Sequence, residues 1–216
     1  MKKSIYLFLS IIVLVSCKDE VESAKDGEST ELKVGDITHI ETLFDKTYFD
    51  TELEFNLLKE LDICDTAKVE GSICAPCSAE HFKFTKYNNN KGLNDAFLLQ
   101  VKALTVLKNQ EAKLPMRHLI VFERENNELV KVNGFRGNLI ATRESKSGIK
   151  DLIVRFYIPE DEAFLNCLFV WEENKYHFKT VEAIDGGGGF GRVKEAVKDS
   201  VSKIVYQSLM DNTMLF

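Results

Sequence analysis

The stretch CLFVWEENKYHFKT, residues 167–180, decides the fold. Aromatic and apolar side chains alternate along both arms, and Glu172-Glu173-Asn174-Lys175 lies between them as a four-residue turn. Folded about that turn, Trp171 faces Tyr176, Phe169 faces Phe178 and Cys167 faces Thr180, all on one side of an antiparallel hairpin. That side is a core face. Residues 151–158 repeat the pattern, with Leu152, Val154 and Phe156 on one face.

Further strands are predicted upstream at residues 81–87, 96–107, 118–124, 129–135 and 138–143, and the two arms of the hairpin at 166–171 and 176–184. The polar stretches 88–92, 125–128 and 145–148 are turns between some of them. Connections this short force antiparallel neighbours, because a parallel return needs a dozen or more residues. At the C-terminal end, residues 192–210 place Val193, Val197, Val201, Ile204, Val205 and Leu209 on one stripe of an amphipathic helix that should close the sheet. Nearer the start, Leu53, Leu57, Leu58 and Leu61 share a helical face and Thr51 and Glu54 have capping-box spacing, predicting a helix over 51–62. The alternation Leu53, Phe55, Leu57 is the competing strand reading. The fold class is therefore α+β: an antiparallel β-meander with a C-terminal amphipathic helix packed on it.

The first twenty residues read as a targeting segment. Lys2 and Lys3 form a positive start, residues 5–15 a short apolar run, and Leu14-Val15-Ser16-Cys17 a cleavage junction. Eleven apolar positions interrupted by Ser10 are too few to cross a bilayer, which takes about 20. The junction resembles the lipobox of bacterial lipoproteins. That resemblance implies that Cys17 receives a diacylglycerol, that the signal peptide 1–16 is removed, and that the new amine is often acylated; the membrane is then a partner through lipidated Cys17. Two or more acyl chains give a stable anchor where one is marginal. Lys18-Asp19-Glu20 resembles the export tag of surface lipoproteins of the Bacteroidota, implying outer-membrane anchoring with display at the cell surface, the periplasmic leaflet being the alternative. Residues 17–35, rich in Glu, Lys, Ser, Asp and Gly, follow as a disordered tether, and 36–216 as a single ectodomain.

Lys2 and Lys3 leave with the signal peptide, so the 28 basic residues become 26 against 34 acidic ones, a net charge of −8. Nucleic acid is not an expected partner, since affinity for it comes from Lys and Arg neutralising phosphates. Besides Cys17 the chain has Cys64, Cys74, Cys77 and Cys167. An even number in an exported chain points to disulfides, and four cysteines allow three pairings.

Several motifs could carry chemistry. Residues 186–191 satisfy G-x-G-x-x-G, but a dinucleotide site needs a second parallel strand with an acidic residue about 20 positions on, and the sequence supplies none. The glycines read instead as a hinge between the last strand and the helix. Cys74-Ala75-Pro76-Cys77 has redox spacing and resembles thioredoxin-like sites, yet lacks the strand-to-helix junction that acidifies a catalytic thiol. Cys64, Cys74, Cys77 and His81 have ligand types for zinc, against which an oxidising compartment argues. Ser78 stands where covalent haem attachment needs His. His39, His81, His118 and His177 are scattered, and Asp161-Glu162 and Glu172-Glu173 fall in turns. No acid, base and nucleophile assemble, so neither metal nor cofactor is expected and the ectodomain reads as a non-catalytic module binding an envelope protein, glycan or small ligand. A thiol-disulfide oxidoreductase using the CAPC motif is the alternative.

Overall fold

The computed structural model describes residues 33–68, 73–110, 113–186 and 190–216. Cys17, Lys18, Asp19 and Glu20 lie outside the described residues. The elements run β1 (Ile37–His39), α1 (Glu52–Glu60), β2 (Phe82–Thr85), β3 (Ala96–Val101), β4 (His118–Glu125), β5 (Glu128–Phe135), β6 (Asn138–Arg143), β7 (Asp151–Ile158), β8 (Ala163–Glu172), β9 (Lys175–Asp185), β10 (Phe190–Arg192) and α2 (Lys198–Asp211). Every strand pairing is antiparallel and the C-terminal helix packs on β9, so the chain is α+β as its pattern predicts. The meander is divided between two sheets, one ordered β2-β3-β4-β5 and the other β1-β6-β7-β8-β9-β10.

The division follows from β3. All six of its residues, AFLLQV, are buried, the mark of a strand covered on both faces. Ala96 and Leu98 join Leu119, Val121 and Phe135 against Leu139, Leu152, Val154, Phe156, Cys167 and Phe169 of the other sheet. Phe97, Leu99 and Val101 point the opposite way and pack with Phe82 and Phe122 against Leu57 and Leu58 of α1 and Cys64. Two cores thus share one four-stranded sheet. Gln100, also buried, spans the sheets by accepting the Leu139 N–H at 3.1 Å. Asn133 of β5 holds the Tyr176 backbone of β9 in both directions, at 2.7 and 3.1 Å.

The hairpin of β8 and β9 pairs Trp171 with Tyr176 and Phe169 with Phe178 as expected, but Cys167 lies opposite Val181, not Thr180. Two register shifts break the ladder, between Asn166 and Cys167 and between Leu168 and Phe169, and the second, lying between the turn and Cys167, displaces its partner by one residue. The buried Ser202 hydroxyl of α2 accepts the Val181 N–H at 3.0 Å, serving an amide beside the first of them. Glu173 and Asn174, both at positive φ, make the tight turn.

Four further expectations need correction. Strand β3 ends at Val101, short of 107, and Leu104 adopts φ +63° in the loop beyond it. The glycine run is not a hinge into the helix but joins β9 to β10, whose Phe190 and Arg192 pair with Asp185 and Ala183. Gly186 is needed there because a Cβ would lie 2.7 Å from the Ala163 Cα. The helix begins at Lys198 and buries Ser202, Val205 and Leu209, while Val197 and Ile204, both assigned to its core stripe, are exposed. Helix α1 forms as predicted, but Thr51 makes no side-chain cap; Glu54 reaches back to the Asp50 N–H at 3.1 Å instead.

Candidate functional site

The sequence-derived candidates do not converge. Cys64 is bonded to Cys77, closing a loop beside α1, and among the described residues Cys74 and Cys167 are free. Cys74 is therefore not joined to Cys77, and Cys167 cannot reach the others from the core between the sheets. Burial pushes the Cys167 thiol far above its usual range, with Glu182 adding to the shift. His81 stands before β2, its Nδ1 3.4 Å from Thr105 Oγ1 and its Nε2 3.2 Å from Glu80. His39, His118 and His177 lie on β1, β4 and β9. No group of three or more His, Cys, Asp or Glu side chains is placed to hold a metal ion among the described residues. Glu162 takes a left-handed turn conformation after residues 159–161, and Glu172 pairs with Lys175 at the hairpin end.

What the fold does assemble is a cavity of about 320 Å³ with three arginines in its wall. It is lined by Arg117, Arg136 and Arg155 with Thr42, Met116, Gly137, Asn138, Tyr157 and Phe164. The alternation that buries Leu152, Val154 and Phe156 turns Arg155 and Tyr157 to the opposite face of β7. Register then aligns Asn138, Arg155 and Asn166 in one row across β6, β7 and β8, and sets Tyr157 opposite Phe164 in the next. Arg136 and Gly137 form the corner where the chain leaves one sheet for the other. A Cβ on Gly137 would lie 2.9 Å from the Arg155 carbonyl oxygen, so only glycine fits this wall. Arg117 enters from the start of β4.

Each guanidinium is fixed by neutral acceptors and set against an aromatic ring. Arg117 Nη1 donates to Thr42 O at 2.5 Å and Asn138 Oδ1 at 3.0 Å, over the Phe44 ring. Arg155 Nε donates to Asn166 Oδ1 at 2.8 Å, beside Phe164. Arg136 Nη1 donates to Thr213 Oγ1 at 3.2 Å, near the Phe216 ring, and its buried Nε has no partner. The tail that carries Thr213 and Phe216 is itself held: Phe216 N–H donates to Gly134 O, and Arg136 N–H to Met214 O. No carboxylate lies within ion-pair distance of these three arginines among the described residues. Arg124 and Arg143 differ, binding Glu60 and Asp151. Burial alone lowers the pKa of Arg117, which stays charged at any physiological pH.

None of these three arginines was singled out from the sequence. Only the polar face of β7 pointed to Arg155, and an arginine on such a face is ordinarily just solvated. Comparison of the chain with protein-family models, with curated proteins and with solved structures finds no match.

Proposed function

We propose that this chain is an outer-membrane lipoprotein, held by acyl chains on Cys17 and displayed at the cell surface, whose ectodomain binds a small anionic ligand between Arg117, Arg136 and Arg155. The observation that carries the binding reading is three guanidinium groups in one cavity with no carboxylate within ion-pair distance among the described residues, in a protein whose full chain carries a net charge of −6. Drawing charge partly out of water costs free energy unless a counter-charge compensates. Here neutral oxygens hold the arginines in place without spending their charge, which keeps it for a ligand. The volume is at the small end of the range for ligand sites, about 300 to 1,000 Å³. A metabolite-sized molecule fits it.

Binding is tested by titrating the protein with small mono- and polyanions by calorimetry, in wild type and in Arg155→Gln. Saturable binding lost in the variant is expected; heats indistinguishable between the two proteins would refute the assignment. Anchoring is tested separately. Cys17→Ser should abolish acyl labelling, and replacing Lys18, Asp19 and Glu20 with Ala should shield the ectodomain from protease added to intact cells. Undiminished labelling, or equal protease access, overturns the respective part.

The support for a binding role over thiol-disulfide exchange is the pairing of Cys77 with Cys64, which leaves the CAPC cysteines unjoined. Insulin reduction well above the uncatalysed rate, abolished by Cys74→Ser, would favour the oxidoreductase.

A further inference from the structure

Resting on the anion-binding reading above, we propose that the arginine pocket takes a phosphate monoester carried on a ring, with the phosphoryl oxygens on Arg117, Arg136 and Arg155 and the ring against Tyr157 and Phe164. A guanidinium has five N–H donors. Hydrogen bonds within the protein use two on Arg117 and one each on Arg136 and Arg155, leaving three, four and four without an acceptor among the described residues. One of these, the Arg136 Nε–H, is buried where bulk water does not reach it. Open forks remain on two of the arginines, the Nε/Nη2 edge of Arg117 and the Nη1/Nη2 end of Arg155, while Arg136, its Nε closed off from the pocket, offers its remaining Nη donors.

A carboxylate brings one negative charge and two oxygens, enough to occupy one or two forks. A phosphate monoester brings about −1.5 to −2 charges and three terminal oxygens, so it can accept from all three arginines and neutralise more of their charge. A sulfate ester has the same oxygens with a single charge. Ligand charge therefore sets the phosphate monoester apart from the other two classes.

The second half of the site is apolar. Tyr157 and Phe164 are 39% and 41% exposed, with ring centroids 4.9 Å apart and planes tilted by 37°, so a shallow aromatic surface stands open beside the charged cluster. Neither ring is needed to close either hydrophobic core. A sugar or cyclitol ring esterified to the phosphate can lie against it while the phosphoryl group enters the cavity. Such a ligand could be a soluble sugar phosphate or the headgroup of a phosphorylated glycolipid.

The test uses the full chain carrying Cys17→Ser, so that acyl insertion does not obscure vesicle binding. Glucose 6-phosphate, glucose 6-sulfate, glucuronate and inorganic phosphate are titrated by calorimetry. Vesicles of phosphatidylcholine with phosphatidylinositol 4-phosphate are compared by co-sedimentation with vesicles containing phosphatidylinositol. Glucose 6-phosphate should bind about tenfold or more tightly than the sulfate, glucuronate or inorganic phosphate. Arg155→Gln should weaken it by about tenfold or more, and Tyr157→Ala, which removes no hydrogen bond, should weaken it several-fold with unchanged melting. Co-sedimentation specific to the phosphorylated headgroup supports the proposal with a lipid source; soluble binding alone supports it with a free sugar phosphate. Sulfate or glucuronate binding as tightly as the phosphate overturns the phosphoryl assignment and leaves the anion reading standing. No binding of any probe by the folded protein overturns both.

Discussion

Replacing Leu209 with Ala and, separately, Ile204 with Ala tests how the C-terminal helix is seated. The two positions are five residues apart, or about 140° around the helix. Leu209 is fully buried, whereas Ile204 is 71% exposed. Truncating Leu209 removes the equivalent of three methylene groups from the core between the sheets, about 2.4 kcal/mol of transfer free energy at 0.8 each. The cavity left behind raises the cost to about 2.7 to 5 kcal/mol. For a domain of this size each kcal/mol lowers the melting temperature by about 2 to 4 °C, so Leu209→Ala should melt about 5 to 20 °C below wild type. Ile204→Ala forfeits little burial and gains slightly in helix propensity, for a net change within about 0.5 kcal/mol. Thermal unfolding followed by circular dichroism reads both. If Ile204→Ala costs as much as Leu209→Ala, the helix is rotated from the orientation described and the full valine and isoleucine stripe faces the sheet after all.

Thiol labelling of the native protein should modify half-buried Cys74 and spare Cys167, which becomes reactive only on unfolding; replacing Cys64 and Cys77 together with Ser should cost about 3 kcal/mol, a fall of about 6 to 12 °C in melting temperature. Burial lowers the pKa of both His81 and His118 from the ordinary 6.5. Each therefore contributes stability that is complete above about pH 6.5 and is lost as the pH falls through the folded value, because the unfolded chain takes up the proton first. The melting temperature should fall from about pH 7 to about pH 5, and less steeply in a His81→Gln, His118→Gln variant; parallel profiles would contradict this. Asn138→Asp puts a carboxylate where Arg117 Nη1 already donates at 3.0 Å and directly across from Arg155. It should reduce anion affinity by about tenfold or more while leaving the melting temperature unchanged or slightly raised, since a part-exposed ion pair contributes about 0 to 1 kcal/mol; unchanged affinity would place the ligand elsewhere.

Strand positions were legible because their causes are local. Leu152, Val154 and Phe156 alternate whether or not the rest of the chain is known, and β6 and β7 begin and end where the pattern places them. Partition into two sheets was not, because it depends on the chain stepping from one layer to the other at Arg136 and Gly137, a corner with no turn chemistry beyond a single glycine. The uninterrupted apolar run of β3 was the available sign of a strand covered on both sides. Helix α2 was misjudged at Val197 and Ile204 for a related reason: a periodic stripe says which residues could face a core, and the width of the partner surface decides how many do. That partner is chiefly β9, a single strand, so only the line through Ser202, Val205 and Leu209 is buried.

The pocket was illegible for a deeper reason. Its arginines come from the approach to β4, the corner before β6 and the middle of β7, and although 117, 136 and 155 are evenly spaced, that spacing corresponds to no helix or strand period and does not foretell their meeting. They meet because register aligns Asn138, Arg155 and Asn166 while the tail from Thr213 to Phe216 docks beside β5 and steadies Arg136. The acceptors are as informative as the donors. Backbone oxygen of Thr42, side-chain oxygens of Asn138 and Asn166, and the Thr213 hydroxyl all orient a guanidinium without cancelling its charge. Arg124 and Arg143, by contrast, have their charge compensated by the carboxylates of Glu60 and Asp151. Holding three arginines by neutral groups forgoes that compensation, and this is the feature on which the anion-binding proposal rests. Among the described residues the chain thus builds two kinds of arginine: Arg124 and Arg143, paired with carboxylates, and Arg117, Arg136 and Arg155, held by neutral oxygens alone.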